Sequence, residues 1–243
     1  MSEKSVPRLF VDFALGEEVS LAGPQAHYLI NVMRRKTGDP VILFNGRDGE
    51  WVYEAGSVAR REIALAPGKK IRDQTAPADL ELLFAPLKKA RTDYAAQKAT
   101  ELGVSRLRPV LTARTIAERV NSDRLHANAV EAAEQCGLLW VPEIMEPISL
   151  VDVIANWPSG RALIFCDETA AAGSPLEALS RLGRGAKSVL IGPEGGFTPE
   201  EAKAIRAVDS TLAISLGPRI MRADTAAVAA LSLVQAACGD WRA

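Results

Sequence analysis

The chain has 243 residues, 48% of them hydrophobic and 24% charged, with a mean hydropathy of +0.03. That is enough apolar surface to fill one large core or two modest ones, and it excludes a disordered or collagenous chain. Lys and Arg number 29 against 30 Asp and Glu, so the net charge of -1 points to no partner by itself. No apolar run approaches the roughly 18 residues of a membrane helix, and Met1 to Phe10 lacks the apolar stretch of a signal peptide, so a cytoplasmic protein with no membrane contact is expected.

The first seventy or so residues read as short strands: Arg8 to Phe13, Val41 to Phe44, Glu50 to Ala55 and Glu62 to Leu65. Between the first two lies one helix candidate, Pro24 to Arg35, with proline suited to the first turn. Asn45-Gly46 and Asp48-Gly49 mark turns. This predicts a small β-rich domain, a barrel, followed by a linker over Lys69 to Ala78, where apolar periodicity is lost. The predicted domains are residues 1–73 and 74–243.

Beyond the linker, strands and helices alternate. Leu80 to Ala85 and Val104 to Leu111 read as strands around a helix over Asp93 to Leu102, and an alanine-rich helix from Asn121 stops at Gly137. Ala162 to Cys166 is a buried strand, and Ser174-Pro175-Leu176-Glu177 has the pattern of a capping box that opens a helix. Strands at Ser188 to Ile191 and Leu212 to Leu216, with helices from Thr198 and from Asp224 to Ala237, complete an α/β domain whose parallel sheet is covered on both faces.

Two segments carry the chemistry. In Ile191-Gly192-Pro193-Glu194-Gly195-Gly196-Phe197 a buried strand runs into a glycine loop, and Thr198-Pro199-Glu200-Glu201 caps the helix beyond it. Such a loop at the C-terminal edge of a parallel sheet is a ligand site. It lacks the lysine of a phosphate cradle and carries a carboxylate, which favours a neutral or cationic ligand over a triphosphate. Leu216-Gly217-Pro218-Arg219-Ile220-Met221-Arg222 repeats the arrangement, with Asp224 and Thr225 at the start of the last helix.

Metal and triad chemistry lack material. The only histidines, His27 and His126, are far apart, and Cys136, Cys166 and Cys238 form no Cys-x-x-Cys pair and are expected as buried thiols. Reactivity would come from a cofactor, or the chain only binds. Charge is unevenly spread: Pro86 to Arg124 carries nine Lys or Arg (Lys88, Lys89, Arg91, Lys98, Arg106, Arg108, Arg114, Arg119, Arg124) against four acids. Either a solvated face or a polyanion-facing surface accounts for this.

The two loops, together with Gln97-Lys98-Ala99-Thr100-Glu101-Leu102-Gly103-Val104 and Glu134-Gln135-Cys136-Gly137, closely resemble the RsmE family, SPOUT-class methyltransferases that modify N3 of a uridine in bacterial 16S ribosomal RNA. His27-Tyr28-Leu29 through Arg34, Gly38-Asp39 and Leu43-Phe44-Asn45-Gly46 are similar to that family's PUA-like RNA-binding domain. The resemblance runs from about Arg8 to the end of the chain. It implies a SPOUT domain with a trefoil knot, a homodimer, and S-adenosyl-L-methionine held by three segments: the strand end at Phe165; Gly192, Pro193, Glu194, Gly195 and Gly196; and Leu216, Gly217, Arg219, Ile220, Met221 and Arg222. Ala223-Asp224 stands where the family usually reads Thr-Glu, and Leu138 where it reads an arginine.

The implied chemistry is coherent. A methyl sulfonium is already electrophilic, so the protein must align it, handle the N3 proton and stabilise charge on the flanking carbonyl oxygens. Arg222 is the candidate for charge stabilisation and Glu134 for proton handling. Arg8, His27, Arg34, Lys88, Arg91, Gln97 and Lys98 are the candidates for RNA contact. N3 lies on the Watson–Crick edge, so the target must be unpaired or flipped. Two other readings stay open: a noncatalytic RNA-binding or ribosome-assembly factor, and a nucleotide-dependent oxidoreductase, which the absence of a Gly-x-Gly-x-x-Gly fingerprint disfavours.

Overall fold

The computed structural model describes residues 6–116, 119–170 and 173–242. The chain divides into two compact units, one of residues 1–76 with Ala133–Trp140 and one of Pro77–Ala132 with Val141–Ala243. Residues 133–140, which the sequence places with the C-terminal domain, thus group with the N-terminal one.

The first unit is a six-stranded sheet of β1 (Arg8–Phe10), β2 (Val19–Ala22), β3 (Pro40–Phe44), β4 (Glu50–Val58), β5 (Glu62–Leu65) and β6 (Lys69–Arg72). Its order is β1-β3-β4-β5-β2, with β6 also paired to β4. Pairing is antiparallel except for β1 beside β3. An irregular register in β4 between Ala55 and Val58 bends that long strand, as bulges do where a sheet curls. Leu9, Leu21, Val41, Leu43, Ile63 and Leu65 fill the core. The predicted linker is a strand over its first four residues. Lys69–Arg72 is exposed throughout and has no apolar face, so pairing to β4 decides its conformation.

The predicted helix at Pro24 is shorter than expected. It comprises α1 (Gly23–His27) and a π-helical turn, Tyr28–Val32, and ends before Arg34, whose φ is +53°.

The second unit holds a seven-stranded, wholly parallel sheet. Its elements are β7 (Leu80–Phe84), α2 (Lys89–Glu101), β8 (Arg106–Leu111), α3 (Ser122–Cys136, whose last residues belong to the first unit), β9 (Glu143–Ile144), β10 (Ile148–Ser149), α4 (Leu150–Ala155), β11 (Ala162–Cys166), α5 (Pro175–Ser180), β12 (Lys187–Ile191), α6 (Pro199–Arg206), β13 (Thr211–Ile214) and α7 (Ala223–Cys238). The strand order is β10-β8-β7-β12-β11-β13, with β9 beside β8. Successive strand residues feed opposite faces: Leu82, Ile164, Val189 and Ile191 join one apolar cluster, Leu83, Leu163, Phe165 and Leu190 the other. Burial on both faces explains the continuous apolar runs in the sequence. Helix α7 lies on α2 and α5 within this unit, burying Ala227, Ala230, Leu231 and Val234.

Candidate functional site

Strands β12, β11 and β13 are parallel neighbours, so their C-terminal ends share one sheet edge. The segments leaving them, 167–169, 192–198 and 215–222, line a cavity of about 430 Å³, a size typical of small-molecule sites. Ile191, Leu216, Ile220, Met221 and Ala226 supply apolar walls, while Asp167, Glu168 and Glu194 supply acid and Arg206 and Arg219 positive charge.

Local chemistry shapes each loop. A β-carbon on Gly192 would stand 2.7 Å from the Phe197 ring, so glycine lets that ring fold back, where it meets Phe165 edge to face with centroids 5.4 Å apart. The capping box forms: Thr198 N–H donates to Glu201 Oε2 at 2.8 Å and Glu201 N–H to Thr198 Oγ1 at 3.2 Å. Glu201 also accepts the Ala113 N–H at 2.7 Å, and Arg114 Nη1 donates to the Gly195 carbonyl at 2.6 Å. On the other side Arg91 Nη1 reaches Glu194 Oε1 at 3.2 Å, and its Nε lies 4.0 Å from Asp224 Oδ2. The glycine loop is thus held by the segment after β8 and by α2.

Asp167 is the most constrained acid. It accepts from Thr169 N at 2.9 Å, Thr169 Oγ1 at 2.8 Å and Arg206 Nε at 2.9 Å, and Arg206 Nη2 closes a second bond to the same carboxylate. Burial alone would raise its pKa; these donors outweigh it and hold the carboxyl below the usual range. Beside it, burial pushes the Cys166 thiol up to about 12, so it stays neutral and unreactive.

Phe165, Gly192, Pro193, Glu194, Gly196, Leu216, Gly217, Arg219, Ile220 and Met221 all line the cavity. Gly195 and Arg222 do not. A β-carbon on Gly195 would face Arg114 Cδ at 3.4 Å, and Arg222 is exposed at the start of α7. Glu134 lies in the first unit, where its carboxylate accepts the Phe10 N–H at 2.9 Å and so anchors β1.

The RNA candidates separate. Arg8 is enclosed: it donates to Glu50 Oε1 at 2.5 Å, to the Ala133 carbonyl at 2.7 Å and to the Leu138 carbonyl, and lies over the Phe44 ring. With those donors engaged it is a structural arginine, not a phosphate contact. Burial lowers its pKa against the opposing pull of Glu50. Arg91 bonds to the glycine loop, Gln97 donates to Asn128 Oδ1 at 3.1 Å, and Lys98 pairs with Glu101 at 2.7 Å. His27, Arg34 and Lys88 are exposed. The basic stretch Pro86 to Arg124 is no bare surface, since Arg106, Arg108 and Arg124 pair with Asp79, Glu81 and Asp93.

Asp167, Thr169 and Arg206 escaped the sequence reading. Asp167 directly follows a buried strand, a signal that could have found it; Arg206 is 39 residues from its partner and left none. Among the described residues no cluster of three His, Cys, Asp or Glu could hold a metal ion.

The RNA methyltransferase domain family matches residues 74–235, and an RNA methyltransferase PUA domain matches residues 21–63. The chain belongs to the RNA methyltransferase family. It shares 29% identity over 232 residues, 94% of each chain, with the ribosomal RNA small subunit methyltransferase E of Rickettsia conorii. A Legionella pneumophila methyltransferase solved in complex with bound cofactor SAM is 26% identical, with a TM-score of 0.82 over 96% of this chain and 98% of that one. The fold is also that of the ribosomal RNA small subunit methyltransferase E from Neisseria gonorrhoeae, TM-score 0.83 at 24% identity over 97% of this chain and 99% of that one.

Proposed function

We propose that this chain is an rRNA (uracil-N3-)-methyltransferase, transferring a methyl group from S-adenosyl-L-methionine to N3 of a uridine in the 16S rRNA of the small ribosomal subunit. The observation that carries this reading is the three-loop cavity at the C-terminal edge of β12, β11 and β13, in a chain similar to proteins named ribosomal RNA small subunit methyltransferase E and to a methyltransferase solved with bound SAM.

The residues fit the cofactor. Apolar walls suit a purine ring, Gly196 at φ +68° and Gly217 at φ +106° keep side chains out of the loops, and Glu168 places a carboxylate on the lining, whereas Asp167 and Glu194 are paired with Arg206 and Arg91. When bound, S-adenosylmethionine supplies an electrophilic methyl group. Arg219 at the cavity and Arg222 beside Met221 offer positive charge for uracil oxygens as N3 loses its proton. The knotted path of the SPOUT class would run through loops 192–198 and 215–222. A second copy of the chain, forming a cytoplasmic homodimer, would cover Ile220, which is 89% exposed.

Titration calorimetry with S-adenosylmethionine, followed by mass spectrometry of small-subunit RNA from cells with and without the protein, tests the reading. Binding with loss of one methyluridine in the deleted strain is expected. RNA binding without cofactor binding would instead favour the noncatalytic factor.

A further inference from the structure

We propose that the turn over residues 27–34 is a clamp for an unpaired RNA base, with Tyr28 as the stacking platform and Arg34 as the phosphate contact. The proposal rests on the RNA-directed reading above but uses neither the cavity nor the cofactor.

Three observations meet there. The helix that begins at Gly23 widens into a π-helical turn, with Met33 N–H donating to the Tyr28 carbonyl at 2.9 Å; such turns favour functional positions. Leu29 points into the core, fully buried, whereas Tyr28 is 39% and Val32 58% exposed, four residues apart on the outer side. An aromatic ring and an aliphatic side chain are therefore left on the surface together.

The turn then closes through Arg35 N–H on the Leu29 carbonyl at 2.9 Å, with Arg34 left-handed at φ +53°. Glycine is the usual occupant of that position in a helix-terminating motif. Among the described residues Arg34 alone is a non-glycine with positive φ, so the fold accepts strain to keep an exposed guanidinium here, and such strain gathers at binding sites.

Finally, residues 23–38 contain His27, Arg34, Arg35 and Lys36 and no carboxylate; His27, Arg34 and Lys36 are exposed. Asp39, just beyond, is turned back onto the Lys36 N–H at 2.8 Å; an exposed ring beside these cations fits a polyanion with open aromatic faces, which is single-stranded RNA, since a duplex hides its base faces.

Fluorescence anisotropy with a short labelled single-stranded RNA, and with a fully paired hairpin as control, tests the clamp. Tyr28→Ala should weaken single-strand binding about tenfold, Tyr28→Phe should retain it, and the hairpin should respond little to either. Arg34→Gly should weaken binding and reduce the salt slope by about 0.7, while the melting temperature stays level or rises because glycine relieves the strain. The opposite signs separate a binding role from a structural one. Unchanged RNA affinity in Tyr28→Ala overturns the proposal, as does a Tyr28→Ala protein that changes only its oligomeric state. Failure of cofactor binding in the cavity would leave these results untouched.

Discussion

Nη1 of Arg91 lies 3.2 Å from Oε1 of Glu194, so helix α2 grips the glycine loop that follows β12 from 103 residues away in sequence. The pair is about one-third exposed, which limits its worth to stability to about 1 kcal/mol or less. Its consequence is for loop position: Arg91→Ala should reduce S-adenosylmethionine affinity several-fold with little change in melting temperature. Calorimetry and thermal denaturation of the same preparation check both halves.

Glycine positions in the loop should differ sharply. Gly192→Ala puts a β-carbon against the Phe197 ring and must displace a wall of the cavity, so cofactor affinity should fall by tenfold or more. Gly195→Ala meets Arg114 at a tight but yielding contact and faces away from the lining; its affinity should stay within a few-fold of the parent. Equal losses in the two variants would contradict this geometry.

Arg8→Ala should act on stability. Arg8 and Glu50 have side chains only 11% and 6% exposed, and removing Arg8 leaves a buried carboxylate held by the half-exposed Arg72, whose Nη1 lies 3.3 Å from Glu50 Oε2. A loss of roughly 3 kcal/mol is expected for breaking such a pair, read from urea denaturation of the whole chain.

Acid sensitivity should report Asp167. Its folded pKa lies below that of the unfolded chain, about 4. Its contribution to stability is therefore complete above the unfolded value and is lost as pH falls through the lower folded value. Melting curves between neutral and strongly acidic pH should show a shallower acid decline in Asp167→Asn than in the parent, from a lower starting stability.

Thiol reactivity should follow exposure. Cys136 is exposed, whereas burial pushes the thiol of Cys166 up to about 12 and encloses Cys238. A disulfide reagent at mildly alkaline pH should modify Cys136 rapidly and the other two only on unfolding; fast modification of Cys166 would mean the cavity opens in solution.

The sequence by itself determined those features whose causes lie within a few residues. Leu80 to Ala85 and Ser188 to Ile191 read as strands because they are short, largely apolar runs, and the strands found there, Leu80–Phe84 and Lys187–Ile191, are buried at every position. Thr198 and Glu201 cap their helix three residues apart, and the glycines of 192–196 mark a loop whatever surrounds it. Motif order carried the family resemblance for the same reason.

Tertiary structure decided what depends on distant partners. Lys69–Arg72 is a strand because β4 offers its edge, and Arg8 is structural because the carbonyls of Ala133 and Leu138 converge on it from 125 and 130 residues away. Arg91 belongs to the glycine loop, Arg206 to Asp167, and residues 133–140 to the first unit. A charged side chain declares its charge in the sequence, but whether that charge meets solvent, a phosphate or a buried carboxylate is set by the groups that folding brings within a few ångströms of it, because Coulomb energy and desolvation both change steeply over that distance.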